Sequence, residues 1–193
     1  MPVLPRVVLR PFTPALLPVV QPWFHHPEVV RRLGGPEWPA RELFLLEEGI
    51  GDVFRGRRVL RAHSWVAFDA AGDPVAKIGG EVYDSWCSYA EGRQGPVITA
   101  VEPGPAMGLD YVVDPGRWRR GIGTATLLAA VDAPEVADVI LFAAGIEVDN
   151  LASRRCAVAV GLEPEATVPD WEGIVYHVRR RPTSPTADPG PSA

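Results

Sequence analysis

The sequence has few of the residues and segments that mark several classes of protein. Its two cysteines, Cys87 and Cys156, match no metal-binding spacing. This argues against a disulfide scaffold and predicts free thiols and no metal site. No stretch approaches the roughly 18 apolar residues of a membrane span. The N-terminus also lacks the apolar core of a signal peptide. We therefore expect a cytoplasmic protein with no membrane partner.

Basic residues are outnumbered: Lys and Arg together number 19 against 24 Asp and Glu, for a net charge of −5. With no basic stripe, this balance argues against a nucleic-acid partner. Lysine occurs once, at Lys77, within an acid-rich segment of residues 62–116 that precedes the arginines of residues 117–120. Two interpretations stay open. A cationic ligand could meet an anionic one there, or the two segments could be solvated surfaces of opposite charge.

The length of 193 residues favours a single domain, which we place at residues 1–181. Residues 182–193 are rich in proline, lack large apolar side chains and are predicted to form a disordered tail. Strand patterns dominate the middle of the chain, and strands alternate with helices towards its end. This order predicts an α/β (α+β) fold with a mixed sheet. Residues 84–106 are rich in Gly, Pro and Ser and are predicted to be a long irregular loop.

The strongest motif is the run RWRRGIGT at residues 117–124, placed between a predicted strand and a predicted helix. Glycines at the start of a helix let backbone N–H groups approach a phosphate, and the helix dipole favours the anion. Arg119 and Arg120 can add charge-assisted contacts. A tight turn into a helix remains the alternative. If the loop binds phosphate, Gly123→Asp should block binding and leave the fold intact.

A second motif begins at Asn150, the one asparagine of the chain, and continues through Ser153 to a glycine at Gly161. Asn150 lies between a predicted strand and a predicted helix. It is therefore either an ordinary helix N-cap or a residue whose amide binds a ligand amide between two strands.

Together these motifs resemble the GNAT superfamily of acetyl-CoA-dependent N-acyltransferases over roughly residues 6–181. The resemblance implies a central mixed sheet flanked by helices on both faces, and acetyl-CoA as co-substrate. Trp118 stands where the family has Arg or Gln, a departure that weakens the match to the phosphate loop. The positions that the resemblance assigns to acetyl-CoA are Val112, Val113, Arg119, Arg120, Gly121, Ile122, Gly123, Thr124, Asn150 and Ser153.

Three places look like segments of aminoglycoside 6′-N-acetyltransferases: residues 108–110, residues 133–136, and residues 168–170 together with 175–176. This likeness implies a small polar amine, aminoglycoside-like or polyamine, as acceptor. The alternatives are a protein N-terminus, a siderophore amine, or a CoA-binding domain without catalysis. A monomer and a homodimer are both compatible with the sequence.

Asp110 matches the catalytic aspartate of that family and is the candidate general base. N-acetyl transfer needs a neutral amine, so a base must remove the proton of the acceptor ammonium. Alternation along the strand puts Asp110 on the face of Gly108 and Val112, among apolar neighbours where an unpaired carboxylate is costly. A salt-bridged structural aspartate is the competing interpretation. The backbone N–H of Val112 is the expected donor to the developing oxyanion.

The family's usual proton donor to the thiolate is a tyrosine seven residues after the asparagine. In this chain that position is Ala157, so the usual donor is missing. Tyr111, Tyr176 and His177 have suitable chemistry but carry no assignment. Trp86 is a candidate wall of the acceptor cleft.

Overall fold

A mixed nine-stranded sheet organises the protein in a computed structural model that describes residues 3–182. The strand order is β1-β3-β4-β5-β7-β9-β8, with β2 paired to β3 and β6 paired to β4. All of these pairings are antiparallel except that of β5 with β7. The strands are β1 Val8–Pro11, β2 Val53–Phe54, β3 Arg57–Phe68, β4 Pro74–Gly92, β5 Gly95–Gly108, β6 Asp110–Val113, β7 Leu141–Glu147, β8 Glu163–Pro164 and β9 Ile174–Arg180.

Helices cover both faces of the sheet, which confirms the predicted fold class. On one face, the N-terminal helices pack with Val66, Phe68 and Val112. On the other face, Leu127 of α4 and Ala157 of α5 belong to the largest buried cluster. The helices are α1 Leu17–Val20, flanked by 3₁₀ turns, α2 Pro27–Leu33, α3 Trp38–Glu48, α4 Ile122–Val131 and α5 Leu151–Ala159.

The irregular loop predicted for residues 84–106 is wrong, because this segment forms most of a long β4–β5 hairpin. Cross-strand pairs run through it, including Cys87 with Val101 and Tyr89 with Ile98. Only the reversal between Gly92 and Gly95 interrupts the strands. Side chains with high strand propensity therefore outweigh the scattered Gly and Pro of this segment. The predicted tail, beyond Pro182, lies outside the described residues.

The sheet splits between β6 and β7, and this split positions the candidate site. The end of β5 pairs with the start of β7, and the backbone N–H of Leu109 still donates to the Ala143 carbonyl at 2.7 Å. Beyond Leu109 the chain continues as β6, which pairs only with β4. The second half of β7 therefore faces β6 across a gap. Unpaired backbone groups at such a gap are available to a ligand.

Ion pairs join α2 to the end of β7, beside the gap. Arg31 and Arg32 form ion pairs with Glu147 and Asp149, including one of 2.9 Å between Arg31 and Asp149. The two guanidinium groups hold the pKa of the Asp149 carboxyl below its usual range. The charges fix α2 over one edge of the gap.

Candidate active site

Two cavities open on the split in the sheet. The wedge cavity, about 630 Å³, lies between β6 and β7 and reaches the first turns of α4 and α5. The side cavity, about 260 Å³, lies under α3 and is bounded by β3, β4 and the end of β5. Leu109, Asp110 and Gly145 line both cavities. A molecule in one cavity can thus meet a molecule in the other beside Asp110.

The wedge cavity contains most of the positions that the sequence assigned to acetyl-CoA. Arg120 and Thr124 are not among its lining residues. The predicted residues that do line it are Val112, Val113, Arg119, Gly121, Ile122, Gly123, Asn150 and Ser153.

The turn into α4 has the geometry of an anion-binding loop. Gly121 adopts a left-handed conformation, with φ of 75°, and no side chain caps the helix. The first-turn N–H groups of α4 are therefore free to bind an anion. Arg119 also has a positive φ, 63°, which is costly for a residue with a Cβ. Within the described chain, neither Arg119 nor Arg120 takes part in an ion pair.

The neighbouring Arg117, unlike Arg119 and Arg120, does form ion pairs within the described chain. It pairs with Asp69 at 2.8 Å and Asp73 at 2.9 Å, and so ties the loop to the β3–β4 turn. Trp118 donates its indole N–H to the Val113 carbonyl at 2.9 Å and packs edge-on against His26. Trp118 therefore braces the loop at a position where the family has Arg or Gln.

Gly123 has a packing role that the sequence did not reveal. A Cβ at this position would lie 3.3 Å from the Cys156 sulfur and 3.4 Å from the Tyr111 ring. These distances are tighter than ordinary contacts, because α4 presses against β6 and α5 here. The expectation that Gly123→Asp leaves the fold intact therefore depends on whether the Cys156 and Tyr111 side chains can shift. The substitution would disturb packing whether or not a ligand binds.

Asn150 caps α5, which confirms its interpretation as a helix N-cap. Its side-chain oxygen accepts a hydrogen bond from the Ser153 N–H at 3.2 Å. Because both residues also line the wedge cavity, the side-chain N–H₂ of Asn150 remains available to a ligand.

Asp110 is not the unpaired carboxylate that its apolar neighbours suggested. The Lys77 ammonium lies 3.2 Å from Asp110 Oδ2 and also pairs with Glu42 of α3. Lys77 is completely buried, whereas the Asp110 side chain is 34% exposed. Burial lowers the pKa of Lys77, but Asp110 and Glu42 offset that effect and raise it overall. Two carboxyl groups therefore share the single ammonium of Lys77, and the partly exposed one, Asp110, can also bind the ammonium group of a ligand.

Strand geometry corrects the predicted oxyanion donor. Backbone amides of an antiparallel strand point alternately to its two sides. The Leu109 N–H points to β7, and the Asp114 N–H points to β4, where it donates to Val75. The Val112 N–H therefore faces β4, opposite Lys77. The amides of Tyr111 and Val113 face the gap, and that of Tyr111 directly follows Asp110.

Ala157, at the position of the missing tyrosine, is fully buried in the core and has no proton to donate. His177 is also buried, with Nδ1 3.1 Å from the Val175 carbonyl, and lines neither cavity. The Tyr111 side chain lines the wedge cavity. Its hydroxyl is buried and has no hydrogen-bond partner among the described residues. Burial raises the pKa of this phenol, which therefore remains a hydrogen-bond donor.

The side cavity gathers residues that sequence reasoning did not identify. Glu42, Glu81 and Arg57 line it, together with Trp86, which was expected there. Burial raises the pKa of Glu42, although Lys77 counteracts this. His63 also lines the cavity, stacked on Trp65 with 5.2 Å between ring centroids, and burial lowers its pKa. No spacing rule joins these residues, because they come from α3 and from separate strands.

The carboxylates of the acidic segment lie in two kinds of surroundings. Several of its carboxylates form surface ion pairs, among them Asp69, Asp73 and Glu102. Glu81 and Asp110 instead face the side cavity.

In the part of the chain that the structure describes, no three His, Cys, Asp or Glu side chains gather in a way that could hold a metal ion. Cys87 and Cys156 are free thiols. No described helix is both long enough and apolar enough to cross a membrane.

Several solved structures share this fold. Aminoglycoside acetyltransferase AAC(6')-Ib in complex with coenzyme A aligns with a TM-score of 0.66 and 21% identity over 91% of this chain and 95% of that one. An aminoglycoside N(6')acetyltransferase from Legionella pneumophila aligns with a TM-score of 0.59 and 15% identity, over 91% and 92%. RimJ from Mycobacterium smegmatis, in complex with CoA-disulfide, gives 0.58 and 17%, over 90% and 81%.

At these identities the likeness establishes the fold and not the acceptor. No protein of curated function matches the sequence. The family model for the acetyltransferase (GNAT) domain matches residues 6–163, which is most of the chain. The chain therefore belongs to the GNAT family of acetyl-CoA-dependent N-acetyltransferases.

Proposed function

We propose that the protein transfers an acetyl group from acetyl-CoA to the primary amine of a small polar acceptor, aminoglycoside-like or polyamine, by direct attack in a ternary complex. The observation that carries this proposal is that the wedge cavity and the side cavity meet at Asp110. The wedge cavity would take acetyl-CoA and the side cavity the acceptor.

Three groups of the wedge cavity fit a CoA thioester. The free N–H groups at the start of α4, with Arg119, suit the pyrophosphate. The amide of Val113, which faces the gap, and the side chain of Asn150 suit the amide-rich arm of the cofactor. Acetyl-CoA supplies the activated acetyl group as a thioester.

In this proposal Asp110 first binds the acceptor ammonium and then accepts its proton. The neutral nitrogen bonds to the acetyl carbon, the carbon–sulfur bond breaks, and the departing thiolate takes up the second proton that the nitrogen loses. The Tyr111 N–H, rather than that of Val112, donates to the acetyl oxygen, since it points into the gap beside Asp110. Lys77 and Glu42 hold the Asp110 carboxylate in place from the buried side.

The test is a thiol-release assay with acetyl-CoA and a panel of amines: aminoglycosides, polyamines, amino acids and peptides with a free N-terminus. CoA affinity is measured in parallel by calorimetry. We expect saturable, amine-dependent thiol release for at least one small acceptor. Release with peptides alone would instead make a protein N-terminus the acceptor. CoA binding without turnover on any amine would contradict catalysis.

A further inference from the structure

Arg57, at the start of β3, is a buried cation without an anionic partner. Only 6% of the residue is exposed. Within residues 3–182 it forms no ion pair, and its Nε has no hydrogen-bond partner. Buried charges are normally paired, because removing a charge from water is costly. An unpaired buried guanidinium therefore suggests that its partner is a ligand.

The Arg57 guanidinium lies over the rings of two aromatic residues. Its central carbon lies 4.3 Å from the ring centroid of Tyr83 and 4.7 Å from that of Trp86. Contact with a ring face stabilises the cation but supplies no conventional hydrogen-bond acceptor, so it leaves the N–H groups without partners. Tyr83 itself is fixed, because its hydroxyl donates to Glu81. The rings thus hold the guanidinium in one orientation while leaving its donors unused.

Arg57 lines the side cavity. Asp110 of β6 and Glu42 of α3 line the same cavity. The cavity therefore contains both signs of charge. The carboxyl groups of Asp110 and Glu42, which share one Lys77, suit the ammonium group of an acceptor, and Arg57 suits an anion. A polycation would satisfy the carboxylates but would leave Arg57 unpaired and repelled.

We infer that the preferred acceptor is a zwitterion, a primary amine that also carries a carboxylate or a similar anionic group. Arg57 binds the anionic group through its free N–H donors, and Asp110 binds the amine. This inference rests on the proposed acetyl transfer to a primary amine beside Asp110. It differs from that proposal in the acceptor, because it predicts a zwitterion in place of an aminoglycoside-like or polyamine molecule. A charge-assisted hydrogen bond at a buried site corresponds to about a 10- to 100-fold preference.

The experiment compares amines that differ only in the carboxylate. Each ω-amino acid from β-alanine to 6-aminohexanoate is paired with the alkylamine that lacks its carboxylate, and several α-amino acids are paired with their decarboxylated amines. We measure kcat/KM for acetylation and, by calorimetry, binding to the protein loaded with CoA. In at least one pair the carboxylate-bearing member should be preferred by about 10- to 100-fold in both measurements.

The variant Arg57→Gln should abolish that preference by weakening only the carboxylate-bearing member. Arg57→Lys keeps the charge without the planar donor arrangement and should retain part of the preference. The matched control is Arg58→Gln, which removes the same charge from the adjacent exposed side chain. This variant should leave every ratio unchanged.

Equal kcat/KM and equal binding within every pair would overturn the inference and would make Arg57 a packing residue. An Arg57→Gln variant that weakens both members of a pair equally would overturn it too. A preference seen in binding but with no turnover would support the role of Arg57 and contradict the proposed catalysis. The two failures are therefore distinguishable.

Discussion

Replacing Asp110 with Asn separates two roles that the structure gives to one carboxylate. Asp110 is the proposed general base, and it is also a partner of the buried Lys77 ammonium at 3.2 Å. Asn keeps the size and one acceptor oxygen but cannot take a proton. We therefore expect turnover to fall by about 10²–10⁴-fold while acetyl-CoA affinity changes little.

The expected loss of stability follows from the surroundings of Lys77. At an effective dielectric constant near 20, a pair at this distance attracts by about 5 kcal/mol. Three features reduce the net loss: Glu42 remains paired with Lys77, the amide oxygen still accepts a hydrogen bond, and Asp110 is a third exposed to water. We expect the free energy of unfolding to fall by about 1–2 kcal/mol. Without the ion pair to Lys77 the opposite sign would be expected, because an unpaired carboxylate among apolar neighbours is costly.

The measurements are steady-state kinetics with the best acceptor, calorimetric titration of acetyl-CoA, and chemical denaturation. Asp132→Asn is the control. It removes the same charge from an exposed side chain, 3.9 Å from Arg179, and should change neither turnover nor stability. Turnover of Asp110→Asn within threefold of the parent would refute the role as base and leave Asp110 as the anchor of Lys77. A matching loss of acetyl-CoA affinity would refute the assignment of Asp110 to the acceptor side.

Three further predictions concern the wedge cavity and its support. Arg119→Gly relieves a left-handed backbone, with φ of 63°. It should raise the free energy of unfolding by about 0.5–1 kcal/mol and weaken CoA binding roughly tenfold, and unchanged affinity in a calorimetric titration would exclude Arg119 from the anion site. Tyr111→Phe removes a buried hydroxyl without a described partner, so the ligand-free protein should melt at an equal or higher temperature, and a clear drop would show that the hydroxyl is already paired. Hydrogen bonds lower the pKa of Asp69, and the one from the Asp73 N–H has the largest effect. The stabilisation by ionised Asp69 is therefore fully present above the usual carboxyl pKa and is lost as pH falls through the lowered value. Acid denaturation of Asp69→Asn should therefore be less steep than that of the parent below about pH 4, and identical curves would contradict this reasoning.

The sequence by itself determined the features that depend on neighbours along the chain. The glycines and arginines of residues 117–124 predicted an anion loop, and the structure gives Gly121 the left-handed conformation of such a turn. Asn150 predicted a helix start, and it caps α5. Alternation placed Asp110 and Val112 on one face of their strand, and that face lies under the N-terminal helices. In each case the deciding interactions span a few residues, so a short stretch of sequence contains them.

Only the tertiary structure decided what surrounds Asp110. Lys77 lies 33 positions away in the chain, and it reaches Asp110 because β4 and β6 pair side by side. Glu42 joins them because α3 packs over that face. Of the two rings beside Arg57, Trp86 comes from the segment 84–106 that the sequence predicted to be an irregular loop. The direction of the Tyr111 amide likewise depends on which side of β6 is paired. Strand pairing and helix packing set these contacts, and both depend on the free energy of the whole core rather than on any local pattern.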